Sequence, residues 1–159
     1  KYLNKKSPIC IHTPLLPSLY SPVPTKLEDK VFTKMSKSKL GSGILIHDDE
    51  ETVKKKIMKS YCPPNDYQSN PLYYLIKHII LPYLSDLNKP FIVKTKKGEL
   101  EINTISEFEK YYVSGDIHPF DLKIAVIQYL NEILDPVRKY FDKHGDVIEE
   151  LKKVLEKKS

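Results

Sequence analysis

Apolar residues along this chain follow two regimes, and the change comes near residue 48. Before it, they sit in short runs broken by proline. Pro8-Ile9-Cys10-Ile11-His12 reads as a buried strand. Pro14, Pro17, Pro22 and Pro24 follow at a spacing no regular helix tolerates, so residues 13–32 are predicted to be irregular. Residues 33–43 contain two glycines and read as a loop. Ile44-Leu45-Ile46 reads as a short strand or a turn. After residue 48 the spacing becomes helical. Val53, Ile57, Met58 and Tyr61 share one face, largely opposite Lys54, Lys55, Lys56 and Lys59. Asp48 or Asp49 caps this helix, and Asp48 with Glu51 has the spacing of a capping box. Cys62-Pro63-Pro64 ends it.

Asn70-Pro71 supplies an N-cap and a first-turn proline for the next helix. Leu72, Leu75, Ile76, Ile79, Ile80 and Tyr83 then mark its buried face. Phe91–Thr95 and residues 99–103 read as the two strands of a hairpin around Lys96-Lys97-Gly98. Leu100 and Ile102 point to one side of the second strand, Glu99 and Glu101 to the other. Ser106 with Glu109 predicts a capping box for a short helix that stops near Gly115. The longest helix is predicted from His118 to Lys143. Phe120, Ile127, Leu134 and Phe141 recur every seven residues as its core stripe, with Leu130 and Val137 between and a kink at Pro136. Gly145 breaks it, and Asp146 with Glu149 caps a last helix. The expected fold is mainly α. Residues 48–159 form a helical domain with one small β-hairpin, and residues 1–47 form the ragged end of an α/β unit.

Composition narrows the classes. The 159 residues are 40% hydrophobic and 30% charged, ordinary for a globular chain. No apolar run reaches the roughly 18 residues of a membrane span. Cys10 and Cys62 are the only cysteines, too few for a disulfide framework or a four-cysteine zinc site. Free thiols in a reducing compartment are expected, and no metal site. The net charge is +5, and Arg138 is the sole arginine. Lysine suits phosphate contact better than bidentate base reading.

The string that carries chemistry is Lys34-Met35-Ser36-Lys37-Ser38, followed by Gly41 and Gly43. Ammonium groups, hydroxyls and free backbone N–H groups in such a loop can cradle phosphate. A solvated lysine loop has the same composition, and no Walker A pattern is present.

Lys34–Ser38 is letter for letter the KMSKS motif of class I aminoacyl-tRNA synthetases. Around it stand Ile11-His12-Thr13-Pro14-Leu15-Leu16, Asp48-Asp49, Tyr61-Cys62-Pro63, Asn70-Pro71 and His118-Pro119-Phe120-Asp121-Leu122-Lys123. That series, in that order, resembles the tyrosyl-tRNA synthetases of the archaeal and eukaryotic type over about residues 8–144. The tryptophanyl enzymes are close relatives. The resemblance implies an ATP- and magnesium-dependent ligase that forms tyrosyl-adenylate and then esterifies tRNA(Tyr). It implies that residues 1–47 end a Rossmann-like catalytic domain, and that 48–159 are the anticodon-binding domain. Lys34 and Lys37 would be the catalytic lysines, and Lys34, Met35, Ser36, Lys37 and Ser38 the ATP-binding loop. His118, Asp121, Cys62, Lys96 and Lys97 would meet the anticodon. In the family the hairpin tip can carry an aromatic that stacks on the first anticodon base. Here the tip is Lys96-Lys97-Gly98, which suits phosphate.

The family's HIGH-like motif and its tyrosine pocket lie upstream of KMSKS and are absent from these residues. The chain also begins at Lys1, without Met. It is therefore expected to be a C-terminal piece of a cytoplasmic, homodimeric parent enzyme, itself a monomer and inactive alone. For Asp121 and His118, helix capping is the competing role. For the whole chain, a stand-alone RNA-binding module and a helical protein-interaction domain are the competing readings.

Overall fold

The computed structural model describes residues 13–24, 34–35 and 42–145. Among these, four helices and one hairpin enclose a single apolar interior. Helix α1 is Glu50–Met58, and Asp49 is its N-cap, with Oδ1 accepting from the Thr52 N–H at 2.6 Å. Asp48 does not form the expected box with Glu51. It is buried, and its Oδ2 accepts from Lys56 Nζ at 2.6 Å and from the Leu45 N–H at 2.8 Å. A charge taken out of water needs such partners, so Asp48 ties the preceding turn to α1.

Helix α2 spans residues 71–86 but is not uniform. It runs as α-helix over Pro71–Leu75, passes through a π turn at Ile76–Ile80, and resumes over Leu81–Asp86. The Leu81 N–H reaches back five residues to Ile76 O. Pro82 explains the wider turn: it has no N–H to donate, and its ring would clash with the carbonyl four residues earlier. Periodicity does not distinguish these two turns, so the sequence pattern shows one plain helix. Leu72, Leu75, Ile76 and Ile80 are buried as expected.

Strands β1, Phe91–Thr95, and β2, Gly98–Ile102, pair antiparallel with Phe91 opposite Ile102 and Thr95 opposite Gly98. The turn is therefore the two residues Lys96 and Lys97, and β2 starts one residue earlier than predicted. Gly98, at φ +132°, takes a backbone angle that L side chains rarely adopt. Phe91, Val93 and Ile102 face inward, with Leu100 half-buried beside them.

Helix α3, Ile105–Val113, starts before the predicted box. Thr104 and Glu107 form it: the Glu107 N–H donates to Thr104 Oγ1, and the Thr104 N–H to Glu107 Oε2. Thr104-x-x-Glu107 has the same spacing as Ser106-x-x-Glu109. The earlier start wins because it follows β2 at once and turns Phe108 and Tyr112 inward, both fully buried. Gly115, at φ +78°, ends this segment; a Cβ there would lie 3.1 Å from Asn65 Nδ2.

Helix α4, Pro119–Lys143, is continuous through Pro136. Its buried face is Leu122, Ala125, Val126, Tyr129 and Leu130. This corrects the heptad stripe. Phe120 is 52% exposed, and Ile127, Leu134 and Phe141 are only half-buried. The face that packs against α1, α2 and β1 follows helical i, i+3, i+4, i+7 spacing from Leu122, and a seven-residue count from Phe120 misses it. Val137 is half-buried as well. His144 closes the helix, its ring stacked on Tyr140 at 4.2 Å, with Gly145 next. Residues 13–24 are irregular, and Leu45 to Asp48 form a turn. The strand predicted at 8–12 and the last helix from Asp146 lie outside the described residues.

A polar node crosses this interior. Tyr112 Oη donates to Pro63 O at 2.6 Å and meets Asn70 Nδ2 at 3.1 Å and Cys62 Sγ at 3.3 Å. Removing one partner strands buried groups without hydrogen bonds. Tyr112→Phe is therefore expected to lower stability by about 1–3 kcal/mol, read as a lower midpoint in urea denaturation followed by far-UV circular dichroism. An unchanged midpoint would show the node to be dispensable.

Candidate functional site

The predicted site residues fall in two places. The first is the stem of the loop carrying Lys34–Ser38. Lys34 makes an isolated antiparallel bridge with Pro17, and the Met35 N–H donates to Leu16 O at 2.8 Å. On the far side the Leu19 N–H donates to Ser42 O at 2.9 Å. The segment Leu16–Leu19 thus binds both Met35 and Ser42, the described residues on either side of positions 36–41. Gly43 permits this closure, because a Cβ there would stand 2.9 Å from Met35 Sδ. Met35 is half-buried against the core, and Lys34 is exposed. Ser36, Lys37 and Ser38 lie outside the described residues.

The second place is a cleft of about 360 Å³ between the hairpin turn and the start of α4. It is lined by Thr95, Lys96, Lys97, Gly115, Asp116, His118, Phe120 and Asp121. Four candidates, from two elements separated in sequence, therefore share one surface. His118 is the N-cap of α4: its Nδ1 accepts from the Phe120 N–H at 3.1 Å. That acceptance leaves Nε2 to donate outward. Asp121 stands in the first turn of α4 and is half-buried. Among the described residues its carboxylate takes no hydrogen bond and no ion pair. The capping role belongs to His118, and Asp121 keeps both oxygens for the cleft.

The two lysines differ in state. Lys97 Nζ pairs with Asp116 Oδ1 at 3.0 Å. Ser114 Oγ donates to the other oxygen of Asp116 at 2.6 Å. The Ser114 hydrogen bond, then Lys97, holds the Asp116 carboxyl below the usual range. Asp116 therefore stays ionised through neutral pH, and Lys97 stays partly neutralised. Lys96 is exposed and has no ion pair among the described residues.

Cys62 does not line the cleft. It joins the buried node, accepting from Asn70 Nδ2 at 3.3 Å, with Pro119 O at 3.9 Å. Burial pushes its thiol pKa up, so it is a poor nucleophile at neutral pH. Sequence reasoning passed over Lys123, the last residue of the His-Pro-Phe-Asp-Leu-Lys run. Its Nζ donates to Met58 O at 2.9 Å and Ser60 O at 2.8 Å, satisfying carbonyls at the end of α1. A cation at a helix C-terminus is favourable twice, through those bonds and through the helix dipole. The only visible signal was a lysine five residues into α4, near the helix end whose dipole disfavours a cation. Among the described residues no cluster of three or more His, Cys, Asp or Glu could hold a metal ion, and no helix is long and apolar enough to cross a membrane.

Residues 4–135 match the family model for tRNA synthetases class I (W and Y), so the chain belongs to that family. It is similar to tyrosine–tRNA ligase 1 of Pyrobaculum aerophilum, at 39% identity over 156 residues, 95% of this chain and 41% of that protein. It is similar to tyrosine–tRNA ligase of Saccharolobus solfataricus, at 36% over 159 residues, 96% of this chain and 43% of that one. Among solved structures, tyrosyl-tRNA synthetase complexed with L-tyrosine from Pyrococcus horikoshii aligns with TM-score 0.74 and 32% identity. The match covers 87% of this chain and 39% of that one. The corresponding complex from Archaeoglobus fulgidus aligns at 0.67 and 38%, over 84% of this chain and 37% of that one. The chain spans about two fifths of the length of these relatives.

Lys123 supplies a test of how α4 is seated. Lys123→Met keeps the aliphatic stem and deletes the ammonium. It is expected to cost about 1.5–3 kcal/mol in urea denaturation, the value of hydrogen bonds to a charged group. Lys55→Met, which removes the solvent-exposed pair with Glu51, is expected to leave the midpoint nearly unchanged. Equal effects would mean that the Lys123 bonds contribute nothing.

Proposed function

We propose that this member of the class I synthetases for tryptophan and tyrosine is the part of a tyrosine–tRNA ligase that carries the KMSKS loop and the anticodon-binding domain. The division follows residue 47, with the loop before it and the helical domain after it. The relatives named above are all tyrosine enzymes, which favours tyrosine over tryptophan. The single observation that carries the anticodon reading is the cleft in which Lys96, Lys97, His118 and Asp121 meet. An unengaged carboxylate can accept from the N1–H and N2–H of guanine, the base that begins the tyrosine anticodon. Nε2 of His118 can donate to a base or sugar oxygen. Lys96 suits a phosphate.

Lys34 and Lys37 act on the other half of the reaction in this reading. Their ammonium groups meet the triphosphate of ATP, which arrives as its magnesium complex, and stabilise charge as pyrophosphate leaves. The stem geometry supports that role: Leu16–Leu19 binds both Met35 and Ser42 while Lys34 remains exposed. Tyrosine, ATP and tRNA(Tyr) are the substrates of the whole ligase, which acts in the cytoplasm. In that ligase Lys37→Ala is expected to slow adenylate formation while leaving tyrosine affinity nearly unchanged, measured by single-turnover quench. An unchanged rate would remove Lys37 from the mechanism.

The anticodon reading is tested by comparing tRNAs that differ only at the first anticodon position. Asp121→Ala is expected to reduce the preference for guanine by about 1–3 kcal/mol, with little change in melting temperature. His118→Ala is expected to lower stability by about 0.5–2 kcal/mol, the cost of an N-cap. Lys96→Ala is expected to weaken all tRNAs alike and reduce the salt slope by about one. If discrimination survives Asp121→Ala, the carboxylate does not read the base.

A further inference from the structure

Between the Lys34–Ser38 loop and α1 the chain makes a turn that apolar packing holds poorly. Ile46 is 57% exposed, His47 is exposed and Leu45 is half-buried. Polar groups hold the turn instead, and they converge on Asp48. Its Oδ2 accepts from the Leu45 N–H at 2.8 Å and from Lys56 Nζ at 2.6 Å, and its own N–H donates to Leu45 O at 3.0 Å. Its carbonyl accepts from Arg138 Nε at 2.8 Å, across 90 positions of sequence. Arg138 Nη2 donates to Asn131 Oδ1, two turns earlier on α4, at 2.9 Å. A single buried residue thus ties the turn to α1 through Lys56 and to α4 through the sole arginine of the chain.

The remaining guanidinium nitrogen bears on what this bracket is for. Arg138 Nη1 is buried without a hydrogen-bond partner, the one such side-chain atom among the described residues. An unpaired buried donor destabilises a fold, and a buried charge seldom outperforms an apolar side chain of similar size. A methionine at 138 would avoid that cost but would release the Asp48 carbonyl. The planar fork of arginine fixes the distance between Asn131 on α4 and Asp48 in the turn, which a lysine or an apolar chain would not do.

We infer that Asp48 and Arg138 are positioning residues for adenylate formation: they set where the Lys34–Ser38 loop joins the body of the molecule. The inference rests on the ATP-binding role proposed for that loop and adds the residues that aim it. The path is short. Ser42, three residues before Leu45, accepts from the Leu19 N–H, and Gly43 stands directly against the Met35 side chain. A shift of the turn at 45–48 therefore reaches Met35 and the exposed Lys34 beside it. Ammonium groups that stabilise a leaving pyrophosphate act only at the right distance, and a displacement of about 1 Å caused far from the chemistry slows a reaction by up to about a hundredfold. Both residues act through the stem of the loop.

In the whole ligase, Arg138→Met and Asp48→Asn are each expected to slow single-turnover adenylate formation by roughly tenfold or more, with tyrosine affinity and the preference for guanine at the first anticodon position unchanged. Arg138→Lys keeps the charge but cannot hold Asp48 O and Asn131 Oδ1 together, so an intermediate rate is expected. A purely structural role would lower the melting temperature of these variants and leave the rate, measured well below that temperature, at the wild-type value; that result overturns the inference. Amide hydrogen exchange on the 159-residue chain gives a second readout. Arg138→Lys is expected to speed exchange at Leu19 and Met35, whose N–H groups close the stem, more than at the amides that pair β1 with β2. Equal acceleration at both would mean general loosening, and no acceleration at the stem would mean no coupling; either overturns the inference. Lys37→Ala is the control that separates the two readings. If it slows adenylate formation and the Asp48 and Arg138 variants do not, the positioning role falls alone. If Lys37→Ala also leaves the rate unchanged, the loop reading falls and the positioning role falls with it.

Discussion

Asn70 is completely buried, and a buried amide with no partner would destabilise the fold more than most single contacts could restore. Its Oδ1 accepts from the Leu72 N–H, opening α2, and its Nδ2 reaches Tyr112 Oη and Cys62 Sγ. One side chain thus joins the start of α2, the end of α3 and the turn after α1. Tyr112 completes the joint by donating to Pro63 O. Burial, followed by the contact with Cys62, pushes the Tyr112 phenol pKa up, so it remains a proton donor across the physiological range. Apolar packing tells these elements to approach; the node tells them in which register.

That register decides what the cleft displays. α3 ends at Val113, Gly115 turns the chain at a positive φ, Ile117 is buried, and His118 leads into α4. Lys123, one turn on, fastens α4 to the last carbonyl of α1, that of Met58, and to that of Ser60 just beyond it. With the helix start held from behind, Phe120 and Asp121 line the cleft beside the hairpin turn, while Leu122 enters the core. His118 takes the cap, and that choice frees Asp121. Had Asp121 capped the helix, its carboxylate would be occupied and the cleft would present only cations and an aromatic ring.

Elements with strong local signals were legible in the sequence: the Asn70-Pro71 start of α2, the hairpin, the stop at Gly115 and the start of α4. The misplacements have a common cause. Where two residues offer equivalent local chemistry, only packing decides between them. Asp49 rather than Asp48 caps α1, because Asp48 is claimed by Lys56 and Leu45. Thr104 rather than Ser106 opens α3, because Phe108 and Tyr112 must face inward. Phe120 fits a heptad on paper, but the core is built on Leu122 and Val126. The π turn before Pro82 leaves no trace in an apolar pattern. For the candidate site, the residue types of the cleft were legible and their meeting was not. Lys96 and Asp121 are brought together by the hairpin register and the seating of α4, both tertiary facts.

The two proposed functional regions are not mechanically separate among the described residues. Leu19, in the segment that holds the loop stem, is fully buried in the same core as Val53, Ile57 and Tyr112. Its carbonyl accepts from the Tyr61 N–H at 2.7 Å. The next carbonyl back, that of Ser60, accepts from Lys123, which lies two residues beyond Asp121 and three beyond Phe120. Charge-assisted bonds of this kind resist displacement more than apolar contacts, which slide at little cost. Any displacement of the first turn of α4 by a ligand in the cleft must therefore either strain the Lys123 bonds or move the end of α1. Moving α1 displaces Tyr61 against Leu19, and Leu19 holds Ser42 on the far flank of the Lys34–Ser38 loop. The fold provides a short, hydrogen-bonded route between the surface proposed to read RNA and the loop proposed to hold phosphate.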